Sequence, residues 1–199
     1  DVLKPPVKNL KKPFIVPGTG YLTELWGWDA YWEALSIKRA FEVFGEEELF
    51  RAGVSKKTAT EHICGSVINF LDAQEQDGYI PIMVSAGGLF EGFFQQEHAK
   101  GTPLNQHLPF LCQFALLASD FAGDYGLNVE KLIKYMHYFE EEQYDEKSGL
   151  YFWKDDIMVG VDNNPTVFYR PKNSAADIFL NCFIYLEYKA LAEILTRSG

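Results

Sequence analysis

Apolar residues recur at helical spacing through most of the chain. Ala34, Ile37, Phe41 and Phe44 predict a helix over 29–44, and Gly45 can supply the left-handed residue that closes it. Ile63, Val67, Phe70 and Leu71 line one face of a second predicted helix, over 56–74. A third is expected over 106–121, with Pro109 tolerated in its first turn because that N–H has no helical partner anyway. A fourth covers 129–143, with Asn128 as its N-cap. The last starts at Ser174, and Asp177 three residues on gives a capping box. Phe179, Phe183, Ile184 and Leu191 make it apolar nearly all round, which predicts burial on several sides.

Between these helices the periodicity fails. Residues 1–20 are rich in Pro, Lys and Gly and read as an extended lead-in. The segment "MVSAGGLFEGFFQQEHAKGTP" has two Gly-centred breaks and reads as a long loop. "YDEKSGLYFW" reads as a turn into a short extended piece, and "KDDIMVGVDNNPTVFYRPKN" as a second irregular stretch. Long loops inside a compact domain are often functional. The expected fold class is therefore all-α, about five helices with little strand. Alternating short and long connections suit helical hairpins stacked in a toroid, with function-bearing loops at one end.

Composition narrows the function classes. The 199 residues suffice for one sizeable core. The net charge of -10 argues against a nucleic-acid or anionic-membrane surface, because phosphate binding needs a basic footprint. No apolar run reaches membrane-spanning length, and the N-terminal residues lack the apolar stretch of a signal peptide. A cytoplasmic protein is the simplest expectation. Cys64, Cys112 and Cys182 are odd in number and sit in apolar helical contexts. They read as buried free thiols rather than a disulfide framework or a metal site. Nothing in the pattern calls for a metal or a cofactor.

Two acids stand in unusual settings. In "YLTELWGWDAYWEAL", Trp26, Trp28 and Trp32, three of the chain's four tryptophans, surround Asp29, with Tyr21 and Tyr31 close by. In "GVDNNP", Asp162 and Asn163 belong to a loop held by local turn bonds. A third polar group, "NQHLP", contains Gln106 and His107. Each has a plain structural reading: aromatic core, a helix N-cap for Asp29, and a turn for Asp162. Together they also fit a sugar. Flat rings cover the apolar faces of a sugar, and carboxylates or amides bind its hydroxyl rim. Glycoside hydrolysis further needs two carboxyl groups flanking the bond, one of them protonated.

These segments resemble the signatures of trehalases and family 63 glycoside hydrolases. "PFIVPGTGYLTELWGWDAYWEAL" is similar to their opening Pro-Gly turn and aromatic-Trp-Asp segment. "GVDNNP" is similar to their Gly-x-Asp-Asn-(Ser/Ala)-Pro motif, and "FLNCFIYLEYKALAEI" to the helix that follows it. "LNQHLP" is a weaker match to their Ser-Gln-Pro-Pro element. The resemblance implies an (α/α)6 barrel and inverting hydrolysis of an α-glycosidic bond. It implies that Asp162 is the general acid and that Trp28 and Asp29, with Tyr21, Trp32 and Asn163, line the subsite for the released sugar. Gln106 would be a further sugar contact. The chain departs from the pattern at His107, where proline is expected, and at Asn164, where a small residue is expected. An Arg before the Gln is missing, which argues against trehalose itself.

In such barrels the general base is a Glu from the C-terminal part, and Glu187 and Glu193 stand in the wrong motif context. Residues 21–199 are thus expected to form the first half of the barrel, with the C-terminal half, on the same or a second polypeptide, as partner. The substrate expected is a small oligosaccharide or glycoside. Two alternatives stand beside this reading. One is a non-catalytic carbohydrate-binding or regulatory half-barrel that lacks a base. The other is an α/α-barrel sugar epimerase, which needs paired histidines; here His62, His98, His107 and His137 are scattered.

Overall fold

The computed structural model describes residues 2–198. Among them lie seven α-helices and three two-stranded antiparallel pairs. The protein is mostly helical, and no helix is long and apolar enough to cross a membrane.

Residues 2–20 are largely non-helical, as expected, but Leu10 and residues 14–16 belong to the core. Strand β1 (Leu3–Lys4) pairs with β2 (Phe14–Ile15). Phe14, Ile15 and Val16 are fully buried. Ile15 N donates to Ser66 Oγ at 3.0 Å, and Asn69 clamps Lys12 through both its main-chain N and O. Gly65 makes the close approach possible, since a Cβ there would stand 2.0 Å from Pro13 O. Ser66, Asn69 and Gly65 belong to α3 (Lys56–Asp72), which begins at the N-cap Ser55 and buries the expected Ile63, Val67, Phe70 and Leu71.

Strand β3 (Glu24–Trp26) leads directly into α1 (Gly27–Phe44). The helix starts two residues earlier than the sequence predicts. Its N-cap is Trp26, and Asp29 lies inside the first turn rather than capping it. Gly45 follows with φ 78°, ψ 164°, positive in φ but outside the left-handed helical well, and it starts the short α2 (Glu46–Arg51).

The segment read as a long loop is largely structured. It contains β4 (Met83–Ser85), paired with β3 from Glu24↔Ser85 to Trp26↔Met83, and α4 (Phe93–Ala99), entered through the left-handed Gly92. Elements this short carry less than two helical turns or a few strand residues, so no periodicity can announce them.

The third predicted helix begins late. Helix α5 spans Leu111–Ala122, and residues 105–108 are non-helical instead, with a bridge at Gln106 and a bend at His107. Gln106 bridges Pro81, and His107 N donates to Ile80 O at 2.7 Å. Pairing with this neighbouring segment outcompetes helix formation ahead of Pro109. Helix α5 sits at the centre, packed against α1 and α3. Helix α6 (Val129–Glu142) starts as predicted, with Asn128 Oδ1 accepting from Lys131 N. The hairpin β5 (Tyr144–Asp145) with β6 (Leu150–Tyr151) then supplies the expected extended piece.

The last helix, α7 (Ile178–Ser198), begins four residues after Ser174. Ser174 Oγ donates to Pro171 O instead of capping, and Asp177 Oδ1 accepts from Leu180 N at 2.9 Å. Asp177 therefore caps the helix it was expected to begin inside. One face of α7 packs on α5 and α6. The other leaves Ile178, Cys182, Tyr185 and Leu186 exposed, so the expected burial on several sides is not found. Cys64 and Cys112 are buried free thiols, whereas Cys182 is a free thiol at the surface.

Candidate functional site

Trp26, Trp28 and Asp29 meet at the junction of β3 and α1, and three contacts fix that junction. The β3–β4 ladder holds Trp26, and Gly27 N donates to Ile82 O at 3.1 Å. Gly27 also packs face to face with His107, whose Nε2 would lie 2.4 Å from a Cβ on Gly27. Only glycine lets α1 start against that ring. The ring itself is fully buried, edge-on to Phe70, with Nδ1 2.7 Å from Leu108 O. Burial pushes the imidazole down to about 4, so it is neutral and serves as packing.

The second side of the site is the loop between Trp153 and Asp177. Gly160, at φ 86°, presses onto Trp28 and Leu108; a Cβ there would be 2.8 Å from Leu108 Cδ1 and 3.3 Å from Trp28 Cε3. Asn164 ties the "GVDNNP" turn to α7, its Nδ2 donating to Asp177 Oδ2 at 3.0 Å and its Oδ1 accepting from Thr166 N. Trp153 Nε1 donates to Asp177 Oδ1 at 3.2 Å. One buried carboxylate thus caps a helix and anchors the loop that carries Asp162. The same loop holds Met158, Asn163 and Tyr169 at positive φ, conformations that non-glycine residues adopt at a cost and that cluster at functional sites.

Together the two sides enclose a cleft of about 400 Å³. Tyr21, Trp26 and Trp28 supply aromatic surface, Ile82, Leu108 and Met158 apolar surface, and Asp29 and Asp162 the charge. No Lys, Arg or His is among the described residues that line it. Burial raises the Asp29 carboxyl above its usual range, its own backbone N–H opposes the rise, and the charge of Asp162 adds to it. One turn along α1, burial and then the charge of Asp29 push Glu33 up to about 7. The Asp162 carboxylate is exposed and accepts no hydrogen bond from the described residues, so its oxygens are open to a ligand.

The structure brings together four of the seven residues singled out from the sequence: Tyr21, Trp28, Asp29 and Asp162. Trp32 lies outside the cleft, edge-on to Tyr31 and Phe110, because it sits a full turn beyond Trp28 along the same helix face. Asn163 points into an adjoining hollow. Gln106 is buried to 1% exposure, with Nε2 3.4 Å from Tyr135 O and Oε1 without a partner, and it does not reach the cleft. Its segment contributes Leu108 instead.

Sequence reading missed Leu108, Ile82 and Met158. These are apolar residues in irregular segments, and only the tertiary pairing of those segments reveals them. Glu187 needs a separate account. Fully buried on α7, it accepts from Cys112 N at 2.7 Å and from Gln113 N and Nε2 at 3.0 Å each. It caps α5, which has no capping side chain of its own. Comparison with protein-family models, curated proteins and solved structures gives no match for this chain.

Proposed function

We propose that the cleft holds the terminal sugar of a small α-linked oligosaccharide or glycoside, and that the chain is one half of the catalytic (α/α)6 toroid of an inverting α-glycosidase. The observation that carries this reading is the pairing of Asp29 and Asp162 in one cleft walled by three aromatic rings. Rings cover the C–H faces of a sugar, and carboxylates accept from its hydroxyls. Asp162, free of protein hydrogen bonds at the rim, is the general acid; Asp29, in the floor, positions the sugar. The partner half covers the open face of α7 and supplies the general base, at roughly 6.5–9.5 Å from Asp162 to leave room for the attacking water.

Two measurements test this. Methyl α-glucoside binding, followed by tryptophan fluorescence, should weaken on Asp29→Ala by about 1–3 kcal/mol with the melting temperature nearly unchanged. A fall in stability without loss of binding would reduce Asp29 to a structural residue. In the assembled protein, Asp162→Asn should slow oligosaccharide hydrolysis by ~10²–10⁴-fold. Glycosyl fluorides, whose leaving group needs no proton, should be affected much less.

A second reading is a non-catalytic sugar-binding half-barrel. It is favoured by the cleft's charged lining, which among the described residues is Asp29 and Asp162. Hydrolysis by the assembled protein separates the two. The epimerase reading has no such support, since His107 is buried and His98 pairs with Asp77 on another face.

A further inference from the structure

A second space lies beside the cleft at Asp162. It is a smaller hollow of about 240 Å³, and Ile157, Met158 and Asp162 line both. Asp162 therefore borders two neighbouring spaces rather than one. The second space adds Val161 and Phe168 as apolar surface, and Asp156 and Asn163 as polar groups. At ~30 Å³ per water it has room for roughly eight waters, the scale of a single sugar or aryl ring.

We infer that this second hollow is the subsite for the leaving group, and that it takes a neutral ring with an apolar face and rejects an anionic one. The inference rests on the reading of the main cleft as a sugar site. A general acid must reach the oxygen joining two parts of its substrate, and a carboxyl that borders both spaces can have one part in each. Phe168 and Val161 suit the face of a ring, and Asn163 can bind its substituents.

The charges decide what is rejected. The acidic residues lining the two spaces are Asp29, Asp156 and Asp162, and no Lys, Arg or His is among their described linings. Asp156 is kept charged by Tyr169 N, which donates to its Oδ2 at 2.8 Å and lowers its pKa. Lys172 lines neither space; it lies 3.4 Å from Asp155, and its charge also acts on Asp156. An anionic leaving group would meet three carboxylates and no cation among the described linings, the Lys172 charge being already shared between Asp155 and Asp156.

Calorimetric titration of the 199-residue chain tests this with methyl, phenyl and 4-carboxyphenyl α-glycosides of glucose, mannose and galactose. For at least one sugar, the phenyl glycoside should bind about tenfold tighter than the methyl glycoside, and the carboxyphenyl glycoside should lose that gain. Phe168→Ala should remove the phenyl advantage and leave methyl binding unchanged. Val161→Lys, at an exposed position that tolerates polarity, should restore tight binding of the carboxyphenyl glycoside. If methyl glycosides bind but phenyl ones bind no tighter, the leaving-group subsite is wrong and the sugar site stands. The same holds if either variant leaves the phenyl and carboxyphenyl affinities as they were, or if carboxyphenyl and phenyl glycosides bind alike. If no methyl or phenyl glycoside binds, the sugar site itself fails, and this inference with it.

Discussion

At Gly160 a methyl group would stand 2.8 Å from Leu108 Cδ1 and 3.3 Å from Trp28, on a backbone at φ 86°. Both the contact and the dihedral oppose any side chain. Gly160→Ala should therefore destabilise the protein by about 1–3 kcal/mol, the range typical of strain and overpacking. Urea unfolding would measure it, and a blue or red shift of tryptophan emission would report movement of Trp28. A second residue-scale expectation concerns Glu33. Burial, then the charge of Asp29, raises its carboxyl to about 7 in the folded state, above the ordinary 4.5. The folded state thus holds the proton more tightly than the unfolded one. Its contribution is fully present below about pH 4.5 and is lost as pH rises through about 7. Glu33→Gln should flatten the decline in melting temperature across that window. A decline of the same slope in the variant would assign it to other groups.

At the scale of elements, Asp177 joins α7 to the loop that carries Asp162. It accepts from Leu180 N, Trp153 Nε1 and Asn164 Nδ2. Asp177→Ala removes the helix cap and the loop anchor together, and leaves buried donors unpaired. A loss of about 1–3 kcal/mol is expected. With Thr166 Oγ1 still able to donate to Asp177 Oδ2, Asn164→Ala removes one loop anchor and spares the helix cap. It should cost less stability while making the segment 156–173 more susceptible to limited proteolysis. Equal protection in both variants and the wild type would show that the loop is held by its own packing on Trp28 instead.

At the scale of the whole molecule, α7 presents Ile178, Tyr185 and Leu186 to solvent, and α1 and α2 present Val43, Phe44 and Phe50. Apolar surface left open on helix faces favours association. Sedimentation velocity should show concentration-dependent self-association of this chain. Tyr185→Glu combined with Leu186→Glu should shift it toward monomer with little change in melting temperature, since neither residue is part of the core. Unchanged sedimentation would place the sticky surface elsewhere.

The same scales divide what the sequence determined from what folding decided. Local rules placed α3 and α6 closely, because a capping residue and a repeating apolar face are properties of consecutive residues: the apolar face announced α3, and Asn128 caps α6 as predicted. The aromatic cluster around Asp29 and the turn at Asp162 were legible for the same reason. The start of α5 was not, since Gln106 and His107 pair with Ile80 and Pro81, a partner segment that no local signal names. Asp177 was legible as a capping residue but not as the loop's anchor, because Trp153 and Asn164 reach it only after α7 has packed. The cleft itself is of that kind. Asp29 and Asp162 are 133 positions apart, and only the seating of Gly160 on Trp28 and Leu108 puts both carboxylates in one space. Hydrogen bonds and helix periods act over a few residues, whereas a site made by packing depends on which distant surfaces exclude water from each other.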